Sequence, residues 1–531
     1  MKLVKNIGLV IFLIGLGIFT VLPFIGGVKL SDEMMRNILT ESELNNLENR
    51  FEKEIIDIDF TSSYGFGSAV KGIYDDVNEE FRANKQWDKV MHTSPKEFSL
   101  KLAKVAAYGP VKDNKFAFFL LSFGLAILGA FIFILTDLKL KGPPGIKNDG
   151  IYHDPNTSRG WIGMITAAWL IGFYLLLYIA PYGIVNMIFV VEPVKWLFVE
   201  GGEASQWFLY GFMYTISMTI MGVRMIIKYR HNKYQIVRTI SVVFFQFVFA
   251  FLLVEILPLF DLPGKDLKNA WPLDYSFLFD WNVKGLIENG TFGRFVFVWS
   301  ILLSVIIVPT LVYFYGKRWY CSWVCGCGGL AETVGDPFRQ LSNKKLWSWK
   351  MERWMIHLVL VFAIIMTIFT GYHTYNEIYG GPEMQDKHIL FGFSAYNIRE
   401  VYGFFIGTIF AGVIGTGFYP ILGNRSWCRF GCPLAAYMGI VQRFKSRFRI
   451  TTNGGQCISC GNCSTYCEQG IDVRAYAQKG QNIVRASCVG CGVCSAVCPR
   501  GVLKLENGPE KGRFGNEGPI VLGNDGFQLN V

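Results

Sequence analysis

Cysteine is missing from the first 320 residues, and all thirteen cysteines of this 531-residue chain come after them. That long stretch can hold neither a disulfide nor a thiolate-ligated metal. Charge is also scarce. Asp, Glu, Lys and Arg make up 17% of the chain, against about 25% in soluble domains, which excludes an ordinary soluble globular protein. Of the six histidines, His357 lies inside an apolar run and has no histidine partner in any other run. A b-type haem, which needs axial ligands at one depth, is therefore not expected. The turn-rich stretch PPGIKNDGIYHDPNTSRG, residues 143–160, lacks phosphate-loop spacing, so no nucleotide site is read there. Lys2 and Lys5 precede the first apolar run, but no small-x-small cleavage site follows it. The run is expected to remain as a span.

Hydrophobic sequence, by contrast, is abundant at 51% of residues. Runs long enough to cross a bilayer lie near residues 6–26, 115–136, 161–181, 206–227, 239–259, 295–315, 354–371 and 402–422. The formal net charge of +10 gathers beside these runs. Loops 137–160, 224–238 and 316–353 and the segment after 423 are basic, while 182–205 and 372–400 are mixed or acidic. The alternation reads as membrane topology and not as a phosphate-binding face, so no nucleic acid is expected. It puts both termini and every cysteine on the cytoplasmic side of a bacterial cytoplasmic membrane, where thiols stay free to bind metal.

The last eight cysteines form two runs. CISCGNCSTYC spans 457–467 and CVGCGVCSAVCP spans 488–499, each with the spacing C-x2-C-x2-C-x3-C. This is the spacing of a bacterial two-cluster ferredoxin. Three thiolates on a tight loop wrap one cubane, and the fourth cysteine reaches the other. Cys457, Cys460, Cys463 and Cys498 are therefore assigned to one [4Fe-4S] cluster, and Cys488, Cys491, Cys494 and Cys467 to a second. Structural zinc would instead pair two C-x2-C units, with four ligands per ion. Glu468 stands where proline usually follows the first run.

The other five cysteines lie in a degenerate repeat. GKRWYCSWVC, 316–325, and GNRSWCRFGC, 423–432, share Gly, an Arg two residues on, then Cys, an aromatic and Cys. Both follow an apolar run. A spacing of i, i+4 would put each pair on one helical face. Cys321, Cys325, Cys428 and Cys432, with Cys327 as a fifth thiol, then make a redox or metal site at the cytoplasmic membrane face. Iron–sulfur, copper and dithiol chemistry all stay open for it. Trp319, Trp323 and Trp427 flank the site as interfacial anchors do.

The expected fold is mainly α. It is a polytopic α-helical membrane protein of about eight spans with a C-terminal α+β bacterial-type two-[4Fe-4S] ferredoxin domain. The expected parts are a first span (1–28), an extracytoplasmic domain (29–113), spans two to five (114–293), and spans six to eight with the two C-x3-C motifs (294–450). The ferredoxin domain (451–510) and a loosely ordered tail (511–531) follow. Gly403, Gly407, Ala411 and Gly415 stripe the last span, as in close helix packing. Glu255, near the outer end of the fifth span, reads as a water-contacting boundary residue, with accepting a proton from a quinol as the alternative. His373 and His388, with Glu377, Glu383 and Asp386, read as a solvated outer loop, with a quinol or metal site as the alternative.

C-x3-C(P) motifs at helix ends, followed by a two-cluster ferredoxin, resemble the NapH/NosR/CcoG group of membrane polyferredoxins over roughly residues 294–510. RSWCRFGCPLAA is the nearest motif. WYCSWVCGCGGLAE departs from the group, with Gly326 and Cys327 where proline is usual. The resemblance implies electron passage between a quinol pool or cytoplasmic donor and a partner reductase. In the CcoG branch it implies copper reduction during oxidase assembly. A redox-sensing assembly factor is a third reading. NosR-type members also carry an external flavin domain attached through a threonine motif; segment 29–113 is too short for it and lacks the motif. Whether the chain is an enzyme or only an electron-transfer component stays open.

Overall fold

Eight helices in the described residues are long and apolar enough to cross a membrane: Lys2–Phe24, Lys115–Leu140, Trp161–Ile179, Gln206–Lys228, Lys233–Phe260, Gly290–Tyr315, Leu346–Tyr379 and Ala395–Gly417. Each overlaps a run read from the sequence. The seventh is longer than its apolar run because Lys350, Glu352 and Arg353, all good helix formers, continue it at one end. The computed structural model describes residues 1–91, 93–141, 144–145, 154–268, 271–379, 389–390, 393–508, 521–523 and 526–528. The chain divides into two compact units, Met1–Leu140 with Gly172–Met213, and Lys141–Ile171 with Tyr214–Val531.

In the first unit, spans one and two pack backbone to backbone. A Cβ on Gly8 would lie 2.7 Å from the Phe133 amide, and one on Gly15 would lie 2.6 Å from the Ala126 amide. Small residues permit this approach where lipid offers no hydrophobic drive for association. Lys5 Nζ meets Asp137 Oδ1 at 2.6 Å. Between the two spans the polar segment folds into helices Asp32–Ile38, Glu41–Glu54, Ser63–Ala83 and Pro95–Ala106. A capping box at Thr40 and Glu43 starts the second of these. Gly27–Val28 pairs antiparallel with Ala107–Tyr108 and closes the segment on itself. Phe51, Phe66, Val70, Tyr74 and Leu102 fill its core.

In the second unit, spans five to eight carry the ferredoxin-like segment, built on the antiparallel strands Phe448–Thr452 and Leu503–Asn507. The linker between spans five and six does not stay at their shared end. Trp299 Nε1 donates to Leu267 O at 2.7 Å, and Tyr320, beyond the other end of span six, donates to Lys268 O at 2.9 Å. Irregular backbone at such depth is tolerated when protein surrounds it. Tyr275 of this linker fills the groove left by Gly403 and Gly407, and Trp427 packs against Gly415. The glycine stripe of the last span thus receives aromatic rings and not another helix backbone.

Gly15→Val would drive a branched side chain into the second span. It is expected to cost about 1–3 kcal/mol, read as a lower thermal unfolding midpoint in detergent. Gly17→Ala, at a position with open space around it, should leave that midpoint in place.

Candidate functional site

Both copies of the repeat begin with the same turn. The amide of Gly316 donates to Val312 O at 2.8 Å, and that of Gly423 donates to Tyr419 O at 3.1 Å. The two glycines have φ of +66° and +89°, which favours glycine. Neither has room for a side chain: a Cβ on Gly316 would lie 2.7 Å from Gln442 Oε1, and one on Gly423 would lie 2.8 Å from the Ser342 amide. The first cysteine follows within a short turn, Arg318–Cys321 in one copy and Trp427–Gly431 in the other. The second cysteine then takes an extended conformation and caps the next helix, Cys325 before Gly326–Thr333 and Cys432 before Pro433–Lys445.

The pairs therefore do not share one face of a continuous helix, as their spacing suggests. The chain breaks between them because an N-cap residue is non-helical. Cys432 Sγ accepts from the Ala435 amide at 3.3 Å, and the Gly328 amide bonds Cys325 in the same relation. Such amides favour a thiolate.

Cys321, Cys325, Cys428 and Cys432 are buried in one cluster. Cys327, in the first turn of the following helix, is exposed. Burial pushes the Cys321 thiol up to about 12 and also raises Cys428 and Cys432. Cys325 goes the other way, down to about 6, because Cys327 donates to it. Among the described residues no three His, Cys, Asp or Glu side chains converge as ligands of a single ion. A mononuclear thiolate site holds its metal about 2.3 Å from each sulfur; a polynuclear cluster sets its ligands further apart. Trp427 is buried with them instead of anchoring at an interface.

The eight remaining cysteines form two sets. Cys457, Cys460, Cys463 and Cys498 line one cavity of about 360 Å³, open mouth included. Cys467, Cys488, Cys491 and Cys494 line another of about 380 Å³. The fourth cysteine of each run thus crosses to the other's cavity. Gly461 and Gly492, at φ +79° and +73°, turn the chain into short helices that begin at Asn462 and Val493. Burial pushes Cys463 up to about 12, Cys488 to about 11 and Cys491 to about 12. Loading such thiols with metal displaces their protons, so retention weakens as pH falls.

The second cavity adjoins the repeat. Ser322 Oγ donates to Val489 O at 2.8 Å, and Gln442 Nε2 donates to Cys488 O at 2.8 Å and Arg485 O at 2.7 Å. Val489 belongs to the same buried cluster as the four thiols. Guanidinium groups point at sulfur on both sides. Arg425 Nη1 lies 3.6 Å from Cys428 Sγ and Arg339 Nη1 lies 4.0 Å from Cys491 Sγ. Both arginines are fully buried. Buried cations aimed at thiols fit sulfur that carries negative charge, as it does when it ligates metal.

Sequence reasoning assigned no role to spans four and five. The second unit places their ends against this site. Gln235 Nε2 donates to Cys491 O at 2.8 Å, Tyr234 to Gly490 O at 2.7 Å, and Gln246 Nε2 to Val324 O at 2.5 Å. Met225 and Tyr229 pack with Tyr466, Val493 and Val497. A polar residue recurring along an otherwise apolar span, such as Gln235, Arg238 and Gln246, was the available signal. Gly145, of the turn-rich loop, donates its amide to Tyr466 at 3.0 Å.

Other flagged residues fall elsewhere. His373 is buried inside the seventh helix and not in a loop, with Nε2 3.3 Å from Asp280 Oδ1 and its ring against Tyr396. Glu377 pairs with Lys284 at 3.8 Å. His388, Glu383 and Asp386 lie outside the described residues, as do positions 509–520 of the tail. His357 and Glu255 lie on spans seven and five, outside the thiol cluster.

Comparison with known proteins agrees with this arrangement. A 4Fe-4S dicluster domain model matches residues 449–499. A 4Fe-4S binding domain model matches twice, over residues 295–345 and 402–451, so the repeat is a duplicated domain. The chain is 28% identical over 177 residues to YccM of Escherichia coli, a protein whose name assigns it to electron transport; the match covers 33% of this chain and 46% of that one. It is 24% identical over 217 residues to MauN of Methylobacillus flagellatus, a methylamine utilization ferredoxin-type protein, covering 36% of this chain and 71% of the relative. The chain thus spans less than half the length of the first of these relatives. No solved structure matches.

Gln442 holds three backbone groups: the Lys317 amide at 2.8 Å and the carbonyls of Arg485 and Cys488. Gln442→Ala leaves them bare, at about 1–3 kcal/mol for each buried group. The expected outcome is a lower unfolding midpoint together with faster proteolysis of the 446–454 segment.

Proposed function

We propose that this chain, a polytopic membrane polyferredoxin over residues 295–499, passes electrons between a cytoplasmic donor or quinol pool and a partner reductase by way of three adjoining cysteine sites. Iron–sulfur electron transport is supported by the matched 4Fe-4S domains and by the names of both relatives. The finer reading assigns Cys457, Cys460, Cys463 and Cys498 to an outermost cluster and Cys467, Cys488, Cys491 and Cys494 to a middle one. Cys321, Cys325, Cys428 and Cys432 hold a third at the membrane face. When bound, the clusters supply one-electron transfer at potentials the protein sets.

The observation that carries the relay is the place of Val489. It lies between two cysteines of the middle site and in one buried cluster with the thiols of the third. The residues of the chain do the rest. They hold the sites in sequence, bury the thiols of the third and turn positive charge toward the sulfurs of the inner two. Cys460 is exposed, so the outermost site is the one a soluble donor can approach. Copper handling by the membrane-face thiols is the competing reading. It fits less well, because both copies of the repeat lie within matched 4Fe-4S binding domains.

The full-length chain and its Cys428→Ser/Cys432→Ser variant, both purified without oxygen, test the reading. Iron and acid-labile sulfide should fall by about one third in the variant, and one signal should disappear from the EPR spectrum of the reduced protein. Unchanged iron, with copper lost instead, would overturn the third cluster in favour of copper handling. In the intact protein, the expected outcome is reduction of the clusters by a quinol analogue or by a reduced ferredoxin or flavodoxin. Failure with all of them would remove the relay role.

A further inference from the structure

Glu468 departs from the ferredoxin pattern, since the second run has Pro499 at the matching place. It is 1% exposed. Its Oε2 accepts from Arg339 Nη1 at 2.8 Å, and its Oε1 lies 3.1 Å from Arg425 Nε. Arg425 is also the guanidinium on Cys428 Sγ, and Arg339 is the one beside Cys491 Sγ. One carboxylate therefore holds one guanidinium belonging to each site. Asn424 Nδ2 reaches the same Oε2 at 3.2 Å. Glu332 pairs with Arg425 and with Arg238, so the cluster of charge continues into the fifth span. Asp336 takes Arg339 at 3.2 Å, together with Arg224 at 2.7 Å and Lys228 at 2.9 Å. Arg339 and Arg425 thus give Glu468 a cation at each of its oxygens.

We propose that Glu468 is a shared counter-ion that couples the reduction of the membrane-face site to that of the middle ferredoxin site. The inference rests on the relay reading and adds a mechanism to it. A guanidinium close to a cluster thiolate stabilises the reduced, more negative state, and a carboxylate close by opposes it. Glu468 competes with sulfur for both guanidiniums. An electron arriving at the membrane-face site draws Arg425 toward Cys428. The carboxylate then leans on Arg339, and the middle site loses part of its cationic help. Neither site fills without making the other harder to reduce, which favours one electron moving between them over two electrons resting there. A carboxylate that only filled space would give no such linkage.

The test is an EPR-monitored redox titration of the full-length, cluster-loaded chain, with iron and sulfide measured on each sample. Glu468→Gln keeps the shape and removes the charge. It is expected to favour reduction of the middle centre about tenfold, a rise of 59 mV for a one-electron couple. Arg339→Gln is expected to move the same centre by a similar factor in the opposite direction. Opposite signs distinguish a charge effect from a packing defect. Unmoved potentials, or shifts of one sign in both variants at full iron content, would overturn the proposal. Should either glutamine variant lose its iron, Glu468→Asp and Arg339→Lys retain charge while displacing it. Smaller shifts of the same two signs are then expected, and unmoved potentials would overturn it. A membrane-face site without iron would sink the relay and the coupling with it. Loaded centres with unmoved potentials would sink the shared counter-ion alone.

Discussion

Buried charge needs a partner, and the second unit is arranged around that need. A buried ion left unpaired costs several kcal/mol. Arg425 lies at the centre of the answer. It follows the turn glycine of the second repeat, touches the Cys428 sulfur, donates to the Cys321 carbonyl in the first repeat, and pairs with Glu332 and Glu468. Two copies of one motif and the ferredoxin-like segment meet at this one side chain. Its repeat equivalent, Arg318, has a different task and stacks on Tyr234 and Phe448. The duplication preserved the turn and the cap, while the arginines diverged.

Much of this was legible in the sequence. The eight spans announced themselves by apolar length. The C-x2-C-x2-C-x3-C spacing is tight enough on its own to imply the crossing of Cys467 and Cys498. The repeat was visible through Gly, Arg and two cysteines. Its local geometry was misread, because i, i+4 spacing suggests a helix while the second cysteine of each pair in fact begins one. Periodicity cannot tell the interior of a helix from the join between two.

What the sequence hid were long-range pairings. Glu468 looked like a blemish in a motif, and its meaning depends on Arg339 and Arg425, more than forty residues away along the chain in the nearer case. Gln235 and Gln246 looked like ordinary polar residues in a span. Their partners are backbone carbonyls, which no residue pattern records. The linker between spans five and six carries no motif that the sequence could be read by. It is drawn inward by Trp271, Leu273 and Tyr275, which pack against the thiol cluster.

The cysteine quartet draws its members from two segments a hundred residues apart, with the ferredoxin-like segment laid against them from the end of the chain. A chain emerging from the ribosome delivers these parts in order. Cys321 and Cys325 reach the membrane surface first and wait through the seventh and eighth spans before Cys428 and Cys432 exist. Val489 and the strand pair arrive last and cover the place. Any group that needs all four thiols therefore has to wait for Cys432, and the ferredoxin-like segment that packs against the place is made only after it.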